Sequence, residues 1–232
     1  MKLAATGSSV IGPAHLFEHT PNQDAVLVRG IQKGWCISVA DGLGSRPLSY
    51  IGSRYCVQSV QRSLELQAGF NSTPLQISQQ IQQFWLSHFG DSHSAFETTC
   101  LWASVTPAGS GMAAQVGDGL LLIKSQGQLR VVTSLRDGFG NQTQTLSKAK
   151  DHDWTSVEFT LAQPGDGVLL MTDGISDDLI PEHLEGFFDA IFQQLKRSNK
   201  RRCKRWLTKE LNEWTTPRHG DDKSIAGIFR TE

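Results

Sequence analysis

The sequence lacks the features that would place it in several common classes. Its four cysteines, Cys36, Cys56, Cys100 and Cys203, are widely scattered and make no Cys-x-x-Cys pair. That spacing provides neither a zinc knuckle nor a disulfide framework, and it suits a reducing compartment. No apolar run approaches the roughly 20 residues of a membrane-spanning helix. The first residues superficially resemble a signal peptide, but Thr6 to Ser9 interrupt the apolar stretch before an h-region can form. Charge of one sign is missing too: a formal net charge of −1 gives the whole molecule no pull toward nucleic acid or an acidic membrane. Internal repeats and low-complexity linkers are absent. What remains is ordinary globular material, 38% hydrophobic over 232 residues, enough to bury a sizeable core. The expectation is a cytoplasmic protein forming one domain over residues 1–232.

Periodicity divides the chain. Short β-type runs come first, at residues 3–9, 25–30 and 35–40. Two helical stretches follow, 50–66 and 75–88, the second with Thr73 as a candidate N-cap and Pro74 in its first turn. A second β block covers 101–105, 111–116, 120–124, 129–132, 156–161 and 168–172. Residues 181–214 are helical in pattern, and 224–229 read as a closing strand. Residues 138–153 have no clear periodicity and read as a loop or flap. Strands not separated by helices favour antiparallel pairing with helices gathered outside. The expected fold class is therefore α+β, a β-sandwich with flanking helices rather than a doubly wound parallel sheet.

Three apolar strands end in Asp-Gly: at Asp41-Gly42, Asp118-Gly119 and Asp173-Gly174. A fourth acidic site, Gly220-Asp221-Asp222, precedes the last strand. A strand fixes the direction of its terminal side chain, and a following glycine lets the chain turn. Several such aspartates aimed at one place repel each other unless a cation sits between them. Carboxylates, carbonyls and water are the ligands that Mg²⁺ and Mn²⁺ prefer, and such ions serve phosphoester hydrolysis. Each motif also has a plain reading, because Asp-Gly is a common hairpin turn. Taken alone, residues 116–121 read as a hairpin, and Asp137-Gly138 and Asp166-Gly167 read as turns only.

Order and flanking residues decide between these readings. Asn22-Gln23-Asp24-Ala25, Val39-Ala40-Asp41-Gly42-Leu43-Gly44-Ser45, Phe96-Glu97-Thr98-Thr99, Val116-Gly117-Asp118-Gly119, Pro164-Gly165-Asp166 with Thr172-Asp173-Gly174-Ile175, and Gly220-Asp221-Asp222-Lys223-Ser224 follow one another along the chain. Together they resemble, in order and across nearly the whole chain, the motifs of the protein phosphatase 2C family, metal-dependent serine/threonine phosphatases. The resemblance implies a four-layer α-β-β-α sandwich with Mn²⁺ or Mg²⁺ at one edge: two ions, with a weaker third in some members. It implies that Asp41 bridges both ions, that the Gly42 carbonyl binds one, and that Asp173 and Asp221 hold the other. Asp24 would support the site through water, and Asp118 would serve the third ion. A metal-bridging hydroxide would attack phosphorus in line, with Asp41, Asp173 and Asp221 carrying the chemistry and no protein nucleophile needed.

Two departures from the family pattern stand out. Gln23 occupies a position where many relatives have glutamate. The usual phosphate-binding arginine of a Gly-x-x-Arg motif is replaced in Gly12-Pro13-Ala14-His15. His15 is a candidate substitute, as a pH-dependent and weaker phosphate ligand than a guanidinium, and Arg46 is another. His15 and His19 as ordinary loop histidines remain the alternative. The Gly-x-x-His form, with Gly140-Asn141-Gln142-Thr143 downstream, resembles a bacterial subgroup, some of whose members are encoded beside a von Willebrand A protein and an unusual kinase. That resemblance implies a phosphoprotein substrate, an opposing kinase and a von Willebrand A partner.

Residues 196–205 carry seven basic side chains, leaving a formal −8 on the rest of the chain. Such a run docks an acidic partner or phosphopeptide, or it is a solvated helix end. Without interleaved aromatics it does not suggest nucleic acid. Gly90-Asp91-Ser92-His93 lacks the nucleophile-elbow pattern of a serine hydrolase and reads as a loop. Two rival functions accompany the phosphatase reading: a catalytically weak phosphoprotein-binding scaffold, and a hydrolase of some other phosphoester.

Overall fold

The computed structural model describes residues 1–31, 34–66, 72–133, 144–214 and 220–232. Asp137-Gly138 and the segment 140–143 lie outside them. In chain order the described elements are β1 (Leu3–Val10), α1 (Pro13–Glu18), β2 (Ala25–Ile31), β3 (Gly34–Ala40), α2 (Ser49–Leu66) and α3 (Pro74–Phe89). There follow β4 (Cys100–Val105), β5 (Ser110–Val116), β6 (Leu120–Ser125), β7 (Gln128–Val131), β8 (Thr155–Thr160) and β9 (Gly167–Met171). The chain closes with α4 (Asp173–Ser176), α5 (Leu184–Arg197), α6 (Lys200–Asn212) and β10 (Lys223–Arg230). Among the described residues the strands form two five-stranded sheets, ordered β1-β10-β9-β6-β7 and β2-β3-β4-β5-β8, and all pairs are antiparallel.

The layers follow from which face each side chain takes. Along β3, Ile37 and Val39 point into the space between the sheets, against Leu121, Val168 and Ala226, while Cys36 and Ala40 face α2 and α3. Along β9, Val168 and Leu170 point inward and Leu169 and Met171 meet Phe188 and Phe192 of α5. Both faces of each sheet are therefore covered, and the central strands are buried and largely apolar on both faces rather than alternating. Each Leu, Ile or Phe so removed from water contributes about 2 kcal/mol. The result is the β-sandwich with flanking helices expected from the element order, in the four-layer α-β-β-α form that the resemblance implied.

Local chemistry explains the helix ends. Thr73 caps α3: its hydroxyl accepts from the Gln76 N–H, and the Gln76 side chain accepts from the Thr73 N–H, closing a capping box. The helical pattern over residues 181–214 is broken at Ser198-Asn199, where the Asn199 side chain accepts from Arg202 N–H and starts α6. Gly90-Asp91-Ser92-His93, read as a loop, lies in a 3₁₀ turn over Gly90–Ala95. The described part of the aperiodic stretch is no free flap: Leu146 is fully buried against α3, and the Gln82 side chain donates to the carbonyls of Leu146 and Ala149.

Read alone, residues 116–121 suggest a hairpin, and the structure corrects this. β5 belongs to one sheet and β6 to the other, so Gly117-Asp118-Gly119 carries the chain across the sandwich. Gly117 and Gly119 have φ of 93° and 104°, a region open to glycine, and the Gln115 side chain donates to both their carbonyls. Asp166 bears out its plain reading as a turn residue. Its buried carboxylate accepts N–H groups from Gln126, Gly127, Ala162 and Gln163, tying two turns together.

Candidate metal centre

The ends of β3, β5 and β9 and the start of β10 converge at one edge of the sandwich. His15, Gln23, Asp41, Gly42, Leu43, Gly44, Asp118, Asp173 and Asp221 line a pocket of ≈ 210 Å³ there. Carboxylate oxygens of Asp41, Asp118 and Asp173 lie within 4.8 Å of one another, from positions up to 132 residues apart in sequence. A second group within the same limit joins His15, Asp221 and Asp222.

Backbone hydrogen bonds hold Asp41 in place. Its N–H donates to Thr99 Oγ1 at 2.9 Å, and its carbonyl accepts from Thr98 Oγ1 and from Thr99 N–H, both at 2.8 Å. The start of β4 thus clamps the residue after β3. Gly42 follows, its N–H on the Gln23 carbonyl at 3.2 Å. Asp173 opens the short α4 directly after β9. At Gly174 a Cβ would lie 2.0 Å from the Asp222 carbonyl oxygen, so only glycine lets the 173 loop rest on the 221–222 backbone.

Asp24 lies beneath the pocket rather than on its wall. It is 5% exposed, and Thr172 Oγ1 donates to its Oδ2 at 2.8 Å. The same Thr172 hydroxyl accepts from Ser224 N–H, linking β2, β9 and β10 under the site. Asp222, to which sequence reasoning assigned no role of its own, holds the rim together. Its carboxylate accepts from Gly12 N–H at 2.7 Å and from Gln23 N–H at 2.6 Å, and its Oδ2 is 2.9 Å from His15 Nδ1. Its signal was residue type and place: a second carboxylate beside Asp221 at the mouth of a buried strand. Arg46 is not among the residues lining the pocket. Its backbone shapes the turn into α2, with N–H on the Leu43 carbonyl, and its Nε is buried.

Electrostatics shows what the pocket wants. Burial pushes the Asp41 carboxyl well above the ordinary carboxylate value, and the charges of Asp24, Asp173 and Asp221 push it further. Burial likewise raises Asp173, with Asp221 and Asp177 adding to it. Asp24 rises through burial, then through Asp222 and Asp173, while hydroxyl donors work the other way. A cluster of oxygen donors whose charges are this costly is matched by a hard divalent cation. The carboxylates of Asp41, Asp118, Asp173 and Asp221 are hard oxygen donors that fit Mn²⁺ or Mg²⁺, with His15 the one nitrogen donor at the pocket and no thiolate.

The model of the protein phosphatase 2C family matches residues 11–214. The chain belongs to that family. A protein phosphatase 2C is a serine/threonine phosphatase that depends on Mn²⁺ or Mg²⁺, and the acidic pocket supplies the ligands such ions use. Solved structures agree on the fold. The catalytic domain of the serine/threonine protein phosphatase PstP in complex with two manganese ions superposes with a TM-score of 0.70, at 16% identity over 99% of each chain. The Mycobacterium tuberculosis serine/threonine phosphatase PstP/Ppp gives 0.69 at 16% identity over the full length of both chains. Stp1 from Staphylococcus aureus gives 0.69 at 16% identity, over 100% of this chain and 96% of that one. No curated protein matches this protein phosphatase 2C in sequence. Among the described residues, no helix is long and apolar enough to cross a membrane.

Proposed function

We propose that this phosphatase hydrolyses phosphoserine or phosphothreonine in a cytoplasmic phosphoprotein, using two divalent ions held by Asp41, the Gly42 carbonyl, Asp173 and Asp221, with Asp118 serving a further ion. The observation that carries the reading is the convergence of Asp41, Asp118 and Asp173 within 4.8 Å in a pocket shared with Asp221. Bound ions of this kind supply a nucleophilic water at neutral pH and offset the charge of the phosphoryl group.

The chain's own residues do the rest. Asp41, clamped by Thr98 and Thr99, keeps its carboxylate aimed at the pocket while substrate arrives. Asp24 and Thr172 support Asp173 and the β10 start from below. His15 stands at the wall, its Nδ1 turned to Asp222, which leaves Nε2 as the ring atom to contact a phosphate oxygen. That contact replaces the arginine usual in the family. The bacterial pairing with an opposing kinase and a von Willebrand A protein belongs to the same reading and is supported by the Gly-x-x-His form of the sequence.

The test is turnover of a phosphothreonine peptide with and without Mn²⁺, beside Asp41→Asn and Asp173→Asn. Metal-dependent release of phosphate, lost in both variants, is expected. Intact Mn²⁺ binding without turnover would favour a phosphoprotein-binding scaffold, and turnover of small phosphoesters alone would favour a different hydrolase.

A further inference from the structure

Helix α6 carries a cationic surface that its own stability does not explain. Arg201, Lys204, Arg205 and Thr208, spaced three or four residues apart, line one hollow of ≈ 540 Å³, and the three cations are exposed. Among the described residues no carboxylate pairs with any of the three. Three neighbouring lysines are otherwise engaged: Lys200 Nζ sits 4.8 Å over the Trp35 ring, Lys196 lies on Phe192, and Lys209 pairs with Glu213.

Local physics disfavours this arrangement. The first turn of α6 holds Lys200, Arg201 and Arg202 and no acidic residue, so positive charge stands at the positive end of the helix dipole. Arg201 faces Lys204 and Arg205 at i+3 and i+4, which are like-charge neighbours. A merely solubilising face would alternate signs and avoid the first turn. The other face explains the helix itself: Cys203, Leu207 and Leu211 are buried against the first sheet.

The position of α6 relates the hollow to the active pocket. Lys200 meets Trp35 at the start of β3, about 20 Å of extended strand from Asp41. Thr208 Oγ1 lies 2.7 Å from Ser8 Oγ, four residues before Gly12, whose N–H is held by Asp222. The helix therefore runs along β1 toward the site, with the hollow roughly 15–25 Å away by chain path.

We infer that the α6 hollow docks an acidic stretch of the phosphoprotein substrate, about five to eight residues from the phosphorylated side chain. This rests on the phosphatase reading above and names its substrate class. Charge complementarity favours a short acidic segment, because the molecule outside residues 196–205 carries a formal −8 that a long polyanion would meet. The hollow has no aromatic lining on which nucleic-acid bases could stack.

Fluorescence anisotropy with a labelled, unphosphorylated octaglutamate peptide tests the docking without turnover. Wild type should bind it in a salt-dependent way, and the Arg201→Ala/Lys204→Ala/Arg205→Ala variant should bind at least tenfold more weakly. The variant's melting temperature should not fall, since alanine favours helix and repulsion is removed. In kinetics, KM for a phosphothreonine peptide bearing a distal acidic tract should rise about tenfold with kcat unchanged. Hydrolysis of 4-nitrophenyl phosphate should stay equal in both proteins; its absence in wild type would count against the phosphatase reading and not the docking. Equal peptide binding by the two proteins, no binding by wild type, or tighter binding of a 20-nucleotide DNA would overturn the inference.

Discussion

His15 Nδ1 lies 2.9 Å from Oδ2 of Asp222, joining the start of α1 to the start of β10 across 207 residues of chain. The same buried carboxylate takes the N–H groups of Gly12 and Gln23, so one side chain positions a pocket-lining ring and two pocket-forming loops.

Replacing Asp222 by alanine should therefore cost on the order of 3 kcal/mol, because the N–H groups of Gly12 and Gln23 lose a buried acceptor. Thermal melting measures that loss. Its kinetic counterpart is a separate reading: His15→Ala should raise KM for a phosphopeptide several-fold while leaving the melting temperature near wild type. An unchanged KM would remove His15 from phosphate recognition.

Gly174 gives a second prediction, based on close approach. An added methyl would meet the Asp222 carbonyl oxygen at 2.0 Å, so Gly174→Ala must push the Asp173 loop off the β10 start. A loss of about 1–3 kcal/mol is expected. Mn²⁺ affinity should fall with it, because Asp173 and Asp221 no longer keep their spacing. Melting curves with and without Mn²⁺ report both effects.

Much of this was legible before any coordinates. Thr73 with Gln76, the apolar strands and the order of Asp-Gly motifs report local or periodic chemistry, and they appear where the sequence suggested. The route of Gly117-Asp118-Gly119 was not legible, because a short glycine-rich link serves a hairpin or an inter-sheet crossing equally well. Only the long-range pairing of β5 with β4 and β8, and of β6 with β9, decides it. The role of Asp222 was hidden for a similar reason: its partners, Gly12 and Gln23, are about 200 residues away. The short helix α1 was missed because none of its residues is buried, which leaves no periodic apolar stripe to read.

Acidity gives a third prediction. Asp24, Asp41 and Asp173 have pKa values raised above the ordinary 3.8 by burial first and by the charges of neighbouring carboxylates, Asp221 and Asp222 among them, next. A carboxyl raised on folding holds its proton more tightly in the folded chain than in the unfolded one. Its effect on the metal-free fold is therefore a loss of stability as pH climbs from 3.8 through the raised values, persisting above them. Divalent ions should reverse that loss, so the rise in melting temperature on adding Mn²⁺ should be larger near pH 8 than near pH 5, by at least about 3 °C. Asp41→Asn removes one repelling charge and should raise the metal-free melting temperature at pH 8. A Mn²⁺ increment independent of pH would contradict this origin of the raised acidity.

The most direct measurement is a calorimetric titration of the metal-free protein with Mn²⁺, repeated on Asp41→Asn/Asp173→Asn. Uptake of about two ions per chain by wild type, with binding abolished or weakened at least a hundredfold in the double variant, is the predicted result. Equal Mn²⁺ uptake by the two proteins would mean that the convergent aspartates are not where the ions bind.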